Sequence, residues 1–226
     1  MIKAKTIVVL PAHNEEDAIL PVVQDVLDSC DCEVVVSFSG CSDSTHIFVA
    51  HEHVLHNHNP RVHLIRSPKG KGLAVKKAFS QIDAQYIVML DADSTYPANE
   101  IPHFVDQLRL YDAVIGTRIL FDGQNISAIN HLGNNFITKN AQILYNSQIN
   151  DLCTGMWGFN GHVLKDLNIK SHGFTLEAEL FVYLKKHGYR IGEIPITYNR
   201  RIGDSKLRRI EAVKILWYLW SRRLTP

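Results

Sequence analysis

The segment Met89-Leu-Asp-Ala-Asp-Ser-Thr95 ends an apolar run in two carboxylates one residue apart. Residues two apart on an extended chain point the same way. Asp91 and Asp93 can therefore converge, one on a divalent ion and the other on that ion or a neighbouring ribose hydroxyl. Hard oxygen ligands of this kind suit Mg²⁺ or Mn²⁺. An isolated Asp-X-Asp is as easily a solvated loop, so its neighbours must decide. Pro11-Ala-His-Asn-Glu-Glu16 follows one apolar run, Ser39-Gly-Cys-Ser-Asp-Ser-Thr45 a second, and Lys69-Gly-Lys-Gly72 a third. The third joins flexible backbone to two cations just ahead of a helix start, a combination suited to a diphosphate. Four polar corners after four consecutive apolar runs point to a single binding edge, because ligands of open α/β sheets gather at the carboxyl ends of the strands.

The elements that position these corners follow from the apolar pattern. Thr6–Leu10, Glu33–Ser37, Val62–Arg66, Tyr86–Leu90 and Ala113–Thr117 are compact runs of the type buried on both faces of a parallel sheet. Helices are predicted between them at Glu15–Ser29, Asp43–His56, Lys71–Gln81 and Asn99–Leu110, with Asp43 and Asn99 as caps. This alternation predicts an α/β fold, a Rossmann-like and mostly parallel sheet covered by helices on both faces. The rhythm changes after Thr117. Leu120–Asn130 reads as loop, Leu132–Ser147 and Gly173–His187 as helices, and Arg190–Tyr198 as a returning strand. This second half is expected to cover the mouth of the first. The chain reads as one domain with a diphosphate-binding half (1–118), a covering half (119–207) and a C-terminal amphipathic helix (208–226).

Composition narrows the function classes. The 24 basic and 23 acidic residues nearly cancel, which removes the electrostatic footprint of a nucleic-acid binder. Any anion must be held locally. Cys30, Cys32, Cys41 and Cys153 complete no zinc set and read as reduced thiols. His46, His51, His53, His56, His58 and His63 crowd one stretch, and their alternation with Asn and Glu reads as a solvated helix and loop, with a metal site the minority reading. The N-terminus lacks a signal-peptide layout, and no stretch approaches the roughly 20 apolar residues of a membrane span, so a cytoplasmic location is expected.

Taken in order, these motifs resemble the family 2 glycosyltransferases of GT-A fold, and within them the dolichol- or polyprenyl-phosphate sugar synthases. The resemblance spans nearly the whole chain. Besides the corners above it rests on Ile115-Gly-Thr-Arg118, Asp151-Leu-Cys-Thr-Gly155, Gly173-Phe-Thr-Leu-Glu-Ala-Glu179, Glu193-Ile-Pro-Ile-Thr197 and Arg201-Ile-Gly-Asp-Ser-Lys-Leu207. It implies a metal-dependent, inverting hexosyltransferase that takes a UDP- or GDP-hexose as donor and a polyprenyl or dolichyl phosphate as acceptor. Pro11, Asn14 and Glu15 are then part of the nucleotide cradle, with Ser39 at the neighbouring corner. Asp91 and Asp93 become the diphosphate–metal site, Arg118 and Arg201 face the phosphates, and Lys206 lies between acceptor and membrane. Glu177 and Glu179 face the donor sugar or the metal, Glu179 being the first choice.

Three positions depart from the family pattern. Phe38-Ser-Gly40 stands where an Asp-Asp-Gly run is usual, which leaves uracil or guanine open. Thr95-Tyr96-Pro97 replaces a His-Pro, and Trp157 stands where an arginine is usual. Displacement at the anomeric carbon needs charge stabilisation on the departing diphosphate, which the metal, Lys71, Arg118 and Arg201 can supply. A lipid monophosphate is already an anion at neutral pH and needs no base, whereas for a hydroxyl acceptor Asp151 is the candidate base. The alternatives are a family 2 enzyme with a small soluble acceptor and a non-catalytic nucleotide-sugar-binding subunit. The Arg201…Leu207 segment favours the lipid acceptor. Finally, 207–223 combines Trp217, Tyr218 and Trp220 with Arg208, Arg209, Lys214, Arg222 and Arg223. This is the composition of a helix lying on an anionic membrane, although a terminal helix packing its tryptophans into the core fits as well.

Overall fold

The computed structural model describes residues 1–45, 59–119, 128–202 and 209–224. Seven strands form one sheet: β1 (Ile2–Ala12), β2 (Glu33–Ser39), β3 (Val62–Ser67), β4 (Ile82–Met89), β5 (Ala113–Ile119), β6 (Trp157–Asn160) and β7 (Ile191–Thr197), in the order β3-β2-β1-β4-β6-β5-β7. β1 runs parallel to β2 and β4, β2 to β3, and β5 to β7, while β6 lies antiparallel between β4 and β5. Six carboxyl ends and the start of β6 therefore share one edge. The segment 151–156, which leads into β6, is delivered to that edge as well.

The predicted mostly parallel sheet is present, with one difference. The second half does more than cover the first, since β6 and β7 complete the same sheet. β6 is a four-residue Trp-Gly-Phe-Asn run, too short and too glycine-interrupted to carry a strand pattern by itself.

The described helices are α1 (Ile19–Ser29), α2 (Lys71–Phe79), α3 (Ile101–Gln107), α4 (Ala128–Tyr145), α5 (Leu176–Lys186) and α6 (Arg209–Leu224). α1 starts four residues later than predicted because the Glu15 carbonyl accepts from the N–H groups of Ala18 and Ile19, making a turn first. Asn99 does not cap α3: it sits inside a 3-10 turn, Ala98–Glu100, with no side-chain capping bond. Asp43 does bond forward, its Oδ1 accepting from the Thr45 backbone N–H at 3.0 Å. The helix predicted over Asp43–His56 lies mostly outside the described residues, as do His46, His51, His53, His56 and His58. His63 pairs with Glu33 across β2 and β3 at 2.7 Å. All four cysteines are free thiols.

Alternation along β1 divides the core between the two faces of the sheet. Val8 and Leu10 join Ile19, Val22 and Val26 of α1 and Phe104 of α3, whereas Ile7 and Val9 join Ala78 of α2. A third cluster binds the second half together, with Trp157 and Phe159 of β6 stacked at 6.0 Å and packed among residues of α4, α5 and α6. Trp157 is fully buried and its indole N–H donates to the Thr154 carbonyl at 2.8 Å, so the residue that replaces the family arginine belongs to the core.

In α6 the inward residues are Ile215 and Leu219, 6% and 0% exposed. Trp217 and Trp220 are 72% and 49% exposed. The tryptophans therefore do not fill the core. Helical spacing explains this: 215 and 219 are one turn apart on one stripe, and 217 and 220 fall on the opposite one.

Candidate active site

The turn between β3 and α2 places Lys71 in the first position of the helix, after Gly70 at φ +129°. Only glycine tolerates that φ readily, and a Cβ there would stand 2.1 Å from the His172 carbonyl oxygen. From this point the Lys71 ammonium reaches Asp91 Oδ1 at 2.6 Å and Glu177 Oε1 at 2.5 Å. Burial opposes the Lys71 charge, but Asp91 and Glu177 outweigh it and hold the pKa above its ordinary value. For Glu177 burial dominates. Its pKa is raised although Lys71 pulls it down, because Asp91 shares the same cation.

Asp93 stands two residues after Asp91. Its Oδ1 accepts from the Thr95 backbone N–H at 3.1 Å and from the Thr95 hydroxyl at 2.5 Å, and its Oδ2 meets Arg201 Nη1 at 2.9 Å. Burial raises the Asp93 pKa, the Asp91 charge adds to this, and Arg201 and Thr95 oppose it. Arg201 also approaches Glu15 at 3.4 Å, while its buried Nε has no partner among the described residues. Two N–H donors hold the segment that delivers Arg201: Asn199 to the Thr95 carbonyl at 2.9 Å and Ile202 to the Asp93 carbonyl at 3.2 Å.

Arg118, at the end of β5, forms the third pair. Asp151 Oδ2 accepts from Arg118 Nε at 2.6 Å and from its backbone N–H at 3.3 Å. Asp151 Oδ1 accepts from Arg118 Nη2 at 2.8 Å and from Asn134 Nδ2 at 2.9 Å. Both oxygens are thus engaged twice, so the geometry makes Asp151 a clamp on Arg118 and leaves it poorly placed to accept a proton. The Arg118 guanidinium also lies over the Tyr198 ring, 5.2 Å from its centroid.

The first two corners meet beside these pairs. Asn14, at φ +54°, donates to Ser42 Oγ and accepts from the Ser42 N–H, both at 2.9 Å. His13 Nδ1 donates to the Ser39 carbonyl at 2.6 Å, and the Glu15 N–H to Thr45 Oγ1 at 2.8 Å. Pro11 and Ser39 are buried at the ends of β1 and β2.

The structure thus brings Glu15, Lys71, Asp91, Asp93, Arg118, Asp151 and Arg201 to one edge, with Pro11, Asn14 and Ser39 beside them. Lys206 lies outside the described residues. The preference for Glu179 over Glu177 is reversed. Glu177 reaches Lys71, whereas the Glu179 carboxylate accepts from the backbone N–H groups of Lys170 and Ser171 at 2.8 and 2.7 Å and is turned away from the carboxylate pair. Residues two apart on a helix diverge, so only one acid could face the edge.

Tyr96, Gly155 and Glu193 stand in the motifs quoted above without a role, and the structure gives each one. Tyr96 accepts from the Gly155 N–H at 2.6 Å. At Gly155 a Cβ would stand 2.3 Å from Asp91 Oδ2, so the glycine makes room for that oxygen. Glu193 accepts from Thr117 Oγ1 at 2.7 Å and from the Asn150 N–H at 2.6 Å, tying β5 and β7 to the residue before Asp151. Glu193 stands opposite Ile115 in the β5–β7 register, two residues from the pairing of Thr117 with Pro195, so its bond to Thr117 is diagonal and no local pattern announces it; Asn134, inside a helix, offered no signal either.

The family model described as glycosyl transferase family 2 matches residues 7–167, more than half of the chain. The chain belongs to glycosyltransferase family 2. Among relatives of this family member, the dolichyl-phosphate hexose transferase of Haloferax volcanii is 32% identical over 202 residues, covering 88% of this chain and 85% of that protein. Glycosyltransferase AglJ of the same organism is 30% identical, covering 86% of this chain and 63% of its own length. The low-salt glycan biosynthesis hexosyltransferase Agl6, also from that organism, is 29% identical over 88% of this chain and 49% of its own. The chain therefore spans less than two thirds of the latter two proteins.

Among solved structures, glucosyl-3-phosphoglycerate synthase from Mycobacterium tuberculosis, in complex with Mn²⁺, UDP and phosphoglyceric acid, superposes with a TM-score of 0.76. It is 17% identical, covering 98% of this chain and 79% of that one. At that identity the shared feature is the fold, the GT-A arrangement that the resemblance implied. The chain is a glycosyltransferase.

Proposed function

We propose that this family 2 glycosyltransferase moves a hexose, with inversion, from a UDP- or GDP-hexose to a polyprenyl or dolichyl phosphate. The observation that carries the reading is the convergence of Lys71, Arg118 and Arg201 with Asp91 and Asp93 on one strand edge. Three cations gathered at this edge support the reading, because a departing nucleoside diphosphate needs its charge stabilised. The name of the dolichyl-phosphate hexose transferase, matched over 85% of its length, supports the acceptor class. A phosphate acceptor also suits an edge at which Asp151 already accepts four hydrogen bonds and is not free to act as a base.

A divalent cation fits the donor set. Asp91 Oδ2 is given room by Gly155, and Asp93 stands two residues on. Mg²⁺ or Mn²⁺ is commonly held in this way, by one or two carboxylates with substrate phosphates and water completing the shell. Bound there, the ion would neutralise charge on the diphosphate. Pro11, Asn14, Glu15 and Ser39 would cradle the nucleotide and Glu177 would face the sugar side.

The acceptor reading implies a peripheral place on the cytoplasmic face of an anionic membrane. No described helix is long and apolar enough to cross one. The outward row of α6, Ile210, Val213, Trp217, Trp220 and Leu224, is exposed, and Leu132, Phe136 and Ile143 of α4 are exposed as well. Lys214, Arg222 and Arg223 flank the α6 row with positive charge.

The test is transfer from radiolabelled UDP- and GDP-hexoses, with Mn²⁺ or Mg²⁺, to a short polyprenyl phosphate in detergent. The expected product is a lipid-linked hexose of inverted configuration. Transfer to a water-soluble phosphate such as phosphoglycerate, with none to the lipid, would overturn the acceptor assignment.

A further inference from the structure

We propose that Glu179 is a positioning residue for Lys71, acting through the backbone of residues 170–172 rather than on donor or cation. The inference rests on reading Lys71 as a cation that faces the donor diphosphate. Glu179 is 6% exposed, and its two oxygens accept from the Lys170 N–H at 2.8 Å and the Ser171 N–H at 2.7 Å. The next link is steric. A Cβ on Gly72 would stand 2.1 Å from the Ser171 carbonyl oxygen, and one on Gly70 would stand 2.1 Å from that of His172. The segment held by Glu179 is therefore pressed directly onto the two glycines that flank Lys71.

The same segment is fastened to α2 one turn further on, where Lys76 Nζ donates to Asn168 Oδ1 at 3.1 Å and to the Ile169 carbonyl at 2.9 Å. With both flanks fixed, the Lys71 stem leaves the helix start in one direction and its ammonium falls between Asp91 and Glu177. One turn of α5 thus serves the same lysine twice: Glu177 as its partner and, on the diverging side, Glu179 as the support of its turn.

Competitive acetylation of the full-length protein, read at each lysine by mass spectrometry, tests the proposal without any ligand. An ammonium enclosed between two carboxylates at 2.6 and 2.5 Å is shielded from the reagent, so Glu179→Ala is expected to raise labelling at Lys71 by about fivefold or more while exposed Lys3 and Lys77 stay unchanged. Glu179→Gln, which keeps one acceptor oxygen, should fall between. Gly72→Ala attacks the contact from the other side while leaving the Glu179 carboxylate itself in place, and should give the same selective rise. Unchanged Lys71 labelling in both Glu179→Gln and Gly72→Ala, or a rise shared by every lysine, overturns the proposal.

A second arm measures UDP and GDP binding with Mn²⁺ in a double-mutant cycle with Lys71→Met. Glu179→Ala should weaken binding about tenfold in the wild-type background and less than about twofold beside Lys71→Met. Equal losses in both backgrounds would mean that Glu179 acts on the donor itself. If the wild type binds neither nucleotide, it is the function reading that fails, while the labelling result still decides the role of Glu179.

Discussion

Replacing Trp217 and Trp220 together with serine separates a membrane-facing helix from a packed one. A wholly covered tryptophan buries roughly 200 Å². With 72% and 49% of the two residues exposed, they offer roughly 240 Å² to a partner. At about 25 cal/mol per Å² that is roughly 6 kcal/mol if fully covered, and about half of it for rings resting at headgroup depth. A loss of about 3 kcal/mol lowers vesicle partitioning by roughly a hundredfold. Folding should suffer far less. Among the described residues these rings are tied to the protein by the Trp220 indole N–H donating to Asn140 Oδ1 at 3.2 Å, and such a bond contributes about 1 kcal/mol. The control is Leu219→Ala on the inward stripe at 0% exposure, expected to cost about 2–5 kcal/mol. Sedimentation with vesicles containing phosphatidylserine reads the first quantity and calorimetric melting the second. Undiminished vesicle binding in the double variant, or a melting loss as large as that of Leu219→Ala, would refute the interfacial reading.

Other outcomes follow from the strand edge. Asp93→Ala should abolish transfer and remove the Mn²⁺ dependence of nucleotide binding, a loss of several kcal/mol at the transition state; full activity of that variant in a chelator would sink the metal assignment. Gly155→Ala should weaken metal–nucleotide binding about tenfold or more, since the new methyl would stand 2.3 Å from Asp91 Oδ2, and calorimetric titration with unchanged affinity would count against it. Glu177→Gln should gain stability relative to wild type as pH rises. The buried acid keeps its proton to higher pH when folded than its ordinary 4.5, so the native state binds more protons across that window. Wild-type stability therefore falls as pH climbs through it, and the amide removes that fall. Melting curves from pH 4 to 8 with a constant or narrowing gap would contradict the sign.

Much of this arrangement was legible because strand ends obey a positional rule. Compact apolar runs marked β1 to β5, and whatever followed them had to lie on one edge, so Asn14, Lys71, Asp91, Asp93 and Arg118 could be gathered without tertiary information. β6 was not legible. Its place in the sheet depends on pairing with Val88 of one neighbour and Val114 of the other through Gly158, contacts made by residues distant in the chain. The orientation of Glu177 and Glu179 was illegible for a related reason: both are acids in the first turn of α5, favourable there for either one. Both are buried, and which one faces Lys71 is decided by the N–H groups of Lys170 and Ser171, which the fold brings to Glu179. The tryptophans of α6 fall in the same class, because the choice between its stripes depends on what α4 and α5 present to it.

The charges at the edge show why these features belong together. Arg118 and Asp151 neutralise each other, whereas Asp91, Asp93 and Glu177 pair with Lys71 and Arg201, which among the described residues of this group leaves one carboxylate more than cations. Burying unpaired carboxylate charge is costly, and the raised pKa values of Asp93 and Glu177 register that cost. A divalent cation is the ligand that corrects such an excess. A diphosphate by itself is not, because the cations it needs are already committed to carboxylates. In the proposed reading, Asp91 and Asp93 would hold the ion, whose charge would match part of the carboxylate charge now matched by Lys71 and Arg201, and both cations would be free to turn to the phosphates. Cation and nucleotide should consequently bind with positive coupling. Titrating UDP or GDP at increasing Mn²⁺ should show affinity rising by about fivefold or more, the usual scale of a coupling free energy of 1–3 kcal/mol, with the reciprocal rise for Mn²⁺ in the presence of nucleotide. Nucleotide affinity indifferent to Mn²⁺ would mean that the carboxylate excess is balanced by some other means.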